Sequence, residues 1–137
     1  MTDVNPRVVE LHLPSELGFE KIAIAAVATI ARKMGFSVDR LEDLKTAVAE
    51  ACINAIEHGN SLNINVKVLV VLTIESDKVQ VNVIDNGHKP IPVMVPDRSQ
   101  RADFRGMGMF LIHELMDEVK IKCEPGRNEL QMMINLE

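Results

Sequence analysis

The sequence predicts one α+β domain: a two-layer α/β sandwich in which three helices cover one face of a mixed, mainly antiparallel sheet. Segments with strand-like alternation flank segments with helical spacing, in the order strand, two helices, two strands, loop, helix, two strands. The chain has 137 residues, 47% of them hydrophobic, which is enough for one core and too few for two ordinary domains. We therefore expect residues 1–137 to form a single domain.

A change from strand-like alternation to helical spacing of the apolar residues predicts the first strand and the first helix. Residues 7–13 alternate in a way that suits a short strand ending at Pro14. Ser15 follows and is predicted to cap a helix over residues 16–34, where apolar side chains recur at helical spacing. Gly35 then supplies the C-terminal stop.

The rest of the chain continues this alternation. A second helix is predicted over residues 39–58, with Asp39 as its N-cap and Gly59 closing it. The remaining predicted elements are strands over residues 65–74 and 78–85, a proline-containing loop over 86–105, a helix over 108–116 and strands over 118–123 and 129–136.

Composition and charge limit the kinds of partner. The net charge is −5, Lys and Arg never form runs longer than two, and Trp and Tyr are absent, so a nucleic-acid surface is not expected. The longest apolar stretches fall short of the roughly 20 residues that span a bilayer, and the N-terminus does not resemble a signal peptide. We expect a cytoplasmic protein whose two cysteines, Cys52 and Cys123, are structural.

Three polar residues of the second helix stand four positions apart. Glu50, Asn54 and His58 form a stripe that borders the apolar stripe of the helix instead of opposing it. Small Ala47 and Ala51 on the same side would leave space for a ligand. The alternative is an ordinary amphipathic helix with a solvated polar edge. Asn54 counts against it, because asparagine competes for backbone hydrogen bonds and is a poor mid-helix residue.

An acidic residue ends the apolar strand over residues 78–85. Asp85 would lie at the C-terminal rim of that strand, where its carboxylate can accept a hydrogen bond from an exocyclic amine. Gly87 would let the backbone turn closely against a flat base. The alternative is a simple Asp-Asn-Gly turn without a chemical role.

A pair of glycines follows the long loop and opens the third predicted helix. Gly106 and Gly108, which alternate with Met107 and Met109, would leave backbone N–H groups unshielded at a helix start, which is a natural phosphate cradle. Arg105 could add a charge-assisted contact to a phosphate oxygen. The pattern is not a Walker motif, because no Gly-Lys-Ser/Thr follows, and a lone glycine pair can also serve only to turn the chain.

The order and spacing of these motifs resemble the GHKL ATPases, specifically the small anti-sigma-factor serine kinases of Gram-positive bacteria. The sequence EACINAIEHG at residues 50–59 is similar to the N box of that family, DNG at 85–87 to its G1 box, and RGMGM at 105–109 to its G2 box. The resemblance runs over nearly the whole chain and implies a Bergerat-type ATP-binding fold.

The resemblance also implies roles for individual residues. Asn54 would coordinate a Mg²⁺ ion that bridges the phosphates of ATP, and Asp85 would bind the adenine amine. Residues 106–109 would present amides to the phosphates, and Glu50 would act as the general base towards an incoming serine or threonine hydroxyl. The segment over residues 88–105 would correspond to the ATP lid.

One position departs from the family pattern. The G1 box usually reads Asp-x-Gly-x-Gly, whereas this chain has Lys89 in place of the second glycine. This difference leaves room for a weaker nucleotide affinity or a lid that closes differently.

Two functions follow from the resemblance. The first is an ATP-dependent serine/threonine-protein kinase that sequesters a sigma factor and phosphorylates a STAS-type anti-anti-sigma antagonist. The second is a binding switch in which nucleotide orders the lid without phosphoryl transfer. A plain α+β interaction domain would require all three motif matches to be accidental. The family also implies a homodimer formed through sheet surfaces.

Overall fold

The structure is a computed structural model that describes residues 5–91 and 104–137. Its strands and helices are β1 (Arg7–Pro14), α1 (Glu20–Met34), α2 (Val38–Asn54), a π-helical turn (Ala55–Gly59), β2 (Lys67–Ile74), β3 (Lys78–Asp85), α3 (Phe104–Leu115), β4 (Glu118–Glu124) and β5 (Arg127–Asn135). None of the described helices is both long and apolar enough to cross a bilayer.

The five strands form one sheet in the order β1-β2-β3-β5-β4, and every described pairing is antiparallel. The predicted α+β class is confirmed, while the allowance for a mixed sheet proves unnecessary. Antiparallel neighbours need only short connections, which suits the tight turns between β2 and β3 and between β4 and β5. The turn at Pro125 and Gly126 is one of these, with Gly126 at φ 80°.

The core lies between the sheet and the three helices. Inward-facing residues alternate along the strands, as in Val79, Val81 and Val83 of β3, and all three are buried. Small side chains on α1 and α2 let these helices approach each other and the sheet closely. One face of the sheet is thus covered, as the alternation in the sequence predicts.

The prediction that Ser15 caps α1 is wrong. The helix begins at Glu20, and Phe19 occupies the cap position without a side-chain hydrogen bond. Gly18 has a φ of 110°, which a right-handed helix cannot contain. The Ser15 hydroxyl is instead buried and donates to the backbone oxygen of Val66 at 2.5 Å.

Both ends of α2 also differ from the prediction. Its N-cap is Ser37, whose hydroxyl accepts the Arg40 N–H at 3.2 Å, and Asp39 lies in the first turn. The α-helix ends at Asn54 and passes into the π-helical turn. Because a π-turn holds more residues than an α-turn, the four-residue spacing no longer continues the polar stripe to His58, which is exposed.

An ion pair ties the start of α2 to the far edge of the sheet. The Arg40 guanidinium donates from Nη2 to Oδ2 of Asp117 at 2.5 Å and from Nε to the backbone oxygen of Asn135 at 2.9 Å. The same Asp117 oxygen accepts the Asn135 N–H at 2.7 Å. The Arg40 guanidinium, the Asp117 carboxylate and the Asn135 backbone therefore each have two partners. An isolated surface ion pair has only one partner for each charge.

This network yields a stability prediction. We expect Arg40→Ala to lower the free energy of unfolding by about 1–2 kcal/mol, because Asp117 and the backbone oxygen of Asn135 both lose a charge-assisted hydrogen bond. Urea denaturation monitored by circular dichroism measures the change. The matched control is Lys45→Ala, which removes a partly exposed helical pair with Glu42 and should cost less than about 0.5 kcal/mol. Equal losses in the two variants would contradict the prediction.

Candidate functional site

The helices α2 and α3 bring three of the predicted site residues together. A methyl group built on Gly108 would lie 2.7 Å from Oε2 of Glu50 and 3.3 Å from Nδ2 of Asn54. Any larger residue at this point of α3 would push the helices apart or displace the Glu50 carboxylate. Gly108 therefore allows the backbone of α3 to approach the polar stripe of α2.

The side-chain amide of Asn54 is incompletely hydrogen-bonded within the described part of the chain. Its Nδ2 atom is buried and has no hydrogen-bond partner among the described residues. A buried polar group without a partner is costly and uncommon in native structures, and it is often explained by a ligand. A half-turn of the amide would present its oxygen to the same space, so the group can serve as a donor or as a metal ligand.

The Glu50 carboxyl is partly withdrawn from water. Burial raises its pKa above the ordinary value for glutamate, because desolvation disfavours the charged form. A carboxylate with a raised pKa holds a proton more readily than an exposed one. This property suits a group that must accept a proton during a reaction near neutral pH.

Asp85 lies at the end of β3 and is 3% exposed. Its Oδ1 atom accepts the Gly87 N–H at 2.8 Å and a hydrogen bond from Nδ2 of Asn128 at 3.1 Å. A side chain at Gly59 would overlap the Asp85 carboxylate, and one at Gly87 would overlap the backbone oxygen of Gly59. The two glycines thus pack the end of the π-helical turn directly against the carboxylate and the loop that follows it.

A small cavity lies between Asn54 and Asp85. Its volume is about 10 Å³, and its lining residues come from α2, the π-helical turn, β3, α3, β5 and the segment after β3: Ala51, Asn54, Ala55, Val83, Asp85, Ile91, Met109 and Leu130. The walls are mainly apolar, with the Asn54 amide and the Asp85 carboxylate as polar exceptions. This composition is typical of a site for a flat, mostly apolar group with a few polar contacts.

The cavity is too small for a nucleotide in this structure. About 10 Å³ is close to the minimum space for one water molecule, so a larger ligand requires its walls to move. A larger cleft of about 650 Å³ lies beside it, between residues 57–66 and 86–89, but neither Glu50, Asn54 nor Asp85 lines that cleft. The polar side chains of Asn54 and Asp85 therefore identify the small cavity, and not the cleft of about 650 Å³, as the candidate site.

The structure places the third predicted motif differently. The glycine pair does not open the helix, because α3 already begins at Phe104 and Gly108 lies in its second turn. Met109 is buried against the cavity, and Gly87 lies against Gly59 as described. Gly106 belongs to the first turn of α3.

Parts of the predicted site lie outside what the structure describes. These are the Arg105 side chain and residues 92–103, which make up most of the predicted ATP lid. The roles of Arg105 and of the lid therefore stay predictions. In the described part of the chain, no group of three or more His, Cys, Asp or Glu side chains could hold a metal ion on its own.

Sequence reasoning missed two asparagines. Asn60 accepts the Asn86 N–H at 2.8 Å and donates to the Ser15 hydroxyl at 3.0 Å, which links the end of the π-helical turn to the segment after β3. Asn128 donates to Asp85 and is 1% exposed. Its signal was present in the sequence, because Asn128 shares the inward-facing register of Leu130, Met132 and Ile134.

Comparison with known proteins identifies the family of the chain. Residues 13–134 match the family model described as the histidine kinase-like ATPase domain. The chain is 28% identical over 131 residues to the serine-protein kinase RsbW of Bacillus cereus (strain Q1), covering 89% of this chain and 81% of that protein. Proteins of the same name from Bacillus thuringiensis subsp. konkukian (strain 97-27) and Bacillus mycoides (strain KBAB4) match with the same identity and coverage.

A solved structure shows the same fold. The crystal structure of the RsbU and RsbW domains of Rv1364c from Mycobacterium tuberculosis superposes with a TM-score of 0.70 at 17% sequence identity. It covers 93% of this chain, which spans 31% of the length of that chain. The family model covers most of the sequence, from residue 13 to residue 134. The chain therefore belongs to the histidine kinase-like ATPase domain family.

Proposed function

We propose that this protein binds ATP with Mg²⁺ and transfers the γ-phosphoryl group to a serine or threonine of a partner protein. The observation that carries the proposal is the juxtaposition of Glu50 and Asn54 on α2 beside the cavity that ends at Asp85. Family membership supports ATP as the nucleotide, and the relatives named serine-protein kinase RsbW support the class of acceptor.

Asp85 is the proposed contact for the adenine base. Its carboxylate accepts hydrogen bonds and lies in a mainly apolar cavity, so it favours a flat base that donates from an exocyclic amine. Ile91, Met109 and Leu130 would contact the faces and edges of the base. Because the cavity is smaller than a base, we expect its walls to separate when the base enters.

The residues present fit a Mg²⁺ ion shared with phosphate groups. Magnesium takes oxygen ligands and commonly keeps only one or two protein ligands besides phosphates and water. The Asn54 amide, whose nitrogen has no partner among the described residues, can turn its oxygen towards such an ion. When bound, magnesium would neutralise the negative charge of the phosphates. In the first turn of α3, Gly106 would offer its backbone amide to the phosphates, and Arg105 its charge.

Glu50 is the proposed general base. It would accept the proton of the acceptor hydroxyl as the hydroxyl oxygen bonds to the γ-phosphorus and the bond between that phosphorus and ADP breaks. Its raised pKa, caused by burial, makes the carboxylate a better proton acceptor than an exposed one. The absence of a side chain at Gly108 leaves room for the carboxylate beside α3.

The partners follow from the same proposal. We infer that the chain sequesters a sigma factor and phosphorylates a STAS-type antagonist, because its motifs resemble those of anti-sigma-factor kinases. Both partners would be met in the cytoplasm. Nucleotide binding without phosphoryl transfer would instead favour a switch, and the presence of Lys89 in place of a family glycine is the feature that favours this second function.

The nucleotide site is tested first by titration calorimetry with ATP and ADP in the presence of Mg²⁺. We expect Asp85→Asn to weaken binding by about tenfold or more, because the amide no longer offers a purely accepting pair of oxygens to the adenine amine. Asp77→Asn, in the exposed turn between β2 and β3, is the matched control and should bind normally. Identical affinities in the two variants would remove Asp85 from the site.

The general base is tested by Glu50→Gln. We expect phosphoryl transfer from radiolabelled ATP to purified STAS-type proteins of the source organism to fall by about a hundredfold or more, while ADP binding changes little. The control is Glu57→Gln, which neutralises the acid two turns along and should leave the rate within about threefold. Equal rates in wild type and Glu50→Gln would refute the role.

Stability gives an independent check of the same variant. Because burial raises the pKa of Glu50 in the folded state, the protonated form favours folding, and this contribution is lost as pH rises through that pKa. At neutral pH the uncharged glutamine side chain of the variant avoids the desolvation cost, so the melting temperature should be equal or higher. In the wild type, the transfer rate should fall on the acid side at a pH above the ordinary glutamate pKa.

A homodimer is also part of the proposal. The sheet face away from the helices carries Val8, which is 54% exposed, and Leu69, Val71 and Ile84 lie on the same face by register. We expect sedimentation equilibrium to give twice the chain mass of 15.2 kDa, and Val71→Lys to give a monomer. A wild type that stays monomeric at high concentration would contradict this expectation.

A further inference from the structure

Asn128 makes an unusual set of contacts at the start of β5. Its Nδ2 atom donates to the backbone oxygen of Lys89 at 2.8 Å, to Oδ1 of Asp85 at 3.1 Å and, at a longer 3.4 Å, to the backbone oxygen of Gly87. The side chain is 1% exposed. All three neighbours are acceptors, so the amide nitrogen must face them and the amide oxygen cannot.

These contacts span the segment where the chain departs from its family pattern. Lys89 stands where the G1 box usually has a second glycine, and the backbone oxygen of Lys89 is the closest partner of Asn128. A buried side chain that holds two carbonyls and one carboxylate limits how far the segment from Asp85 to Lys89 can move. These contacts of Asn128, which we call the clamp, restrain the segment from Asp85 to Lys89 from the start of β5. The restraint does not depend on a glycine.

We propose that Asn128 is a positioning residue for base selection: it fixes the Asp85 carboxylate so that the site prefers a base with an exocyclic amine. The proposal rests on the proposed binding of nucleotide. Asn128 acts through Asp85 and the loop carbonyls, and base selection of this kind requires no contact between Asn128 and the base.

The chemistry of the carboxylate sets the direction of the preference. An adenine amine donates to a carboxylate, whereas hypoxanthine carries an oxygen at the same position and would face the carboxylate with a second acceptor. Discrimination between the two bases depends on holding Asp85 in one orientation, because a mobile carboxylate can move away from the unfavourable oxygen. Loss of the clamp should thus weaken selection more than it weakens binding of the phosphates.

A pure hairpin role gives a different expectation. If Asn128 only stabilises the turn between β4 and β5, its removal lowers the melting temperature and affects all nucleotides alike. The two roles can be separated by comparing ADP with inosine diphosphate, which shares the ribose and phosphates of ADP and lacks the amine.

The experiment measures dissociation constants for ADP and inosine diphosphate, with Mg²⁺, in wild type, Asn128→Ala, Asn128→Asp and Gln131→Ala. Asn128→Asp keeps the size of the side chain and replaces the donor by an acceptor. Gln131 lies on the same strand and faces the opposite side of the sheet, so it is the matched control. Melting temperatures are measured on the same samples.

We expect both Asn128 variants to lose about tenfold or more in the preference for ADP over inosine diphosphate, and Gln131→Ala to keep it. An unchanged preference in both Asn128 variants, whatever their melting temperatures, would overturn the proposal while leaving the nucleotide site intact. A wild type that binds neither nucleotide would overturn the proposed function and this inference together.

Discussion

The structure of the site depends on burying the Asp85 carboxylate. A carboxylate that is 3% exposed has lost most of its water and must find donors within the protein. The Gly87 N–H and the Asn128 amide supply two of them, and Gly59 allows the π-helical turn to close over the carboxylate without a side chain between. The fold therefore brings the end of the π-helical turn, the end of β3 and the start of β5 to one point.

The second constraint is the close packing of α3 on the polar side of α2. Helices usually meet through apolar residues, yet here Gly108 lies against a carboxylate and an amide. Glu50 has a raised pKa and Asn54 keeps a buried nitrogen without a partner in the described chain, so neither group is at its most stable. Functional sites commonly keep such unfavourable groups, because a better-packed alternative would lack the reactive atoms.

Much of the fold could be predicted from the sequence, because the strands have one buried face and the helices one apolar stripe. Strand β3 was predicted with its observed ends, and the burial alternation of β2 and β5 follows the period-two pattern. The N-caps were the weaker part. Ser15 was an equally good cap by residue type, but its hydroxyl is used by Val66, which is 51 residues away in the sequence. Local patterns cannot reveal such a distant partner.

The candidate site was predictable to a similar extent and for the same reason. The spacing of Glu50 and Asn54 follows from α-helical geometry, so their shared face was predicted, whereas the π-helical turn that redirects His58 has no simple period. The glycine pair was expected to free backbone amides at a helix start. In the structure, the second glycine instead gives Glu50 room beside α3, a role that depends on the distance between two helices.

The burial of polar groups at the site explains how such a small cavity can belong to the candidate site. Apolar side chains of Ile91, Met109 and Leu130 line the cavity, while the Asn54 nitrogen has no partner in the described chain and Glu50, on the same helix, is partly desolvated. The apolar surface of a ligand would pack against the apolar side chains, and its polar groups would supply a hydrogen-bond partner to the Asn54 nitrogen. Binding of such a ligand would offset the cost of burying these polar groups, and that free energy would favour the bound state.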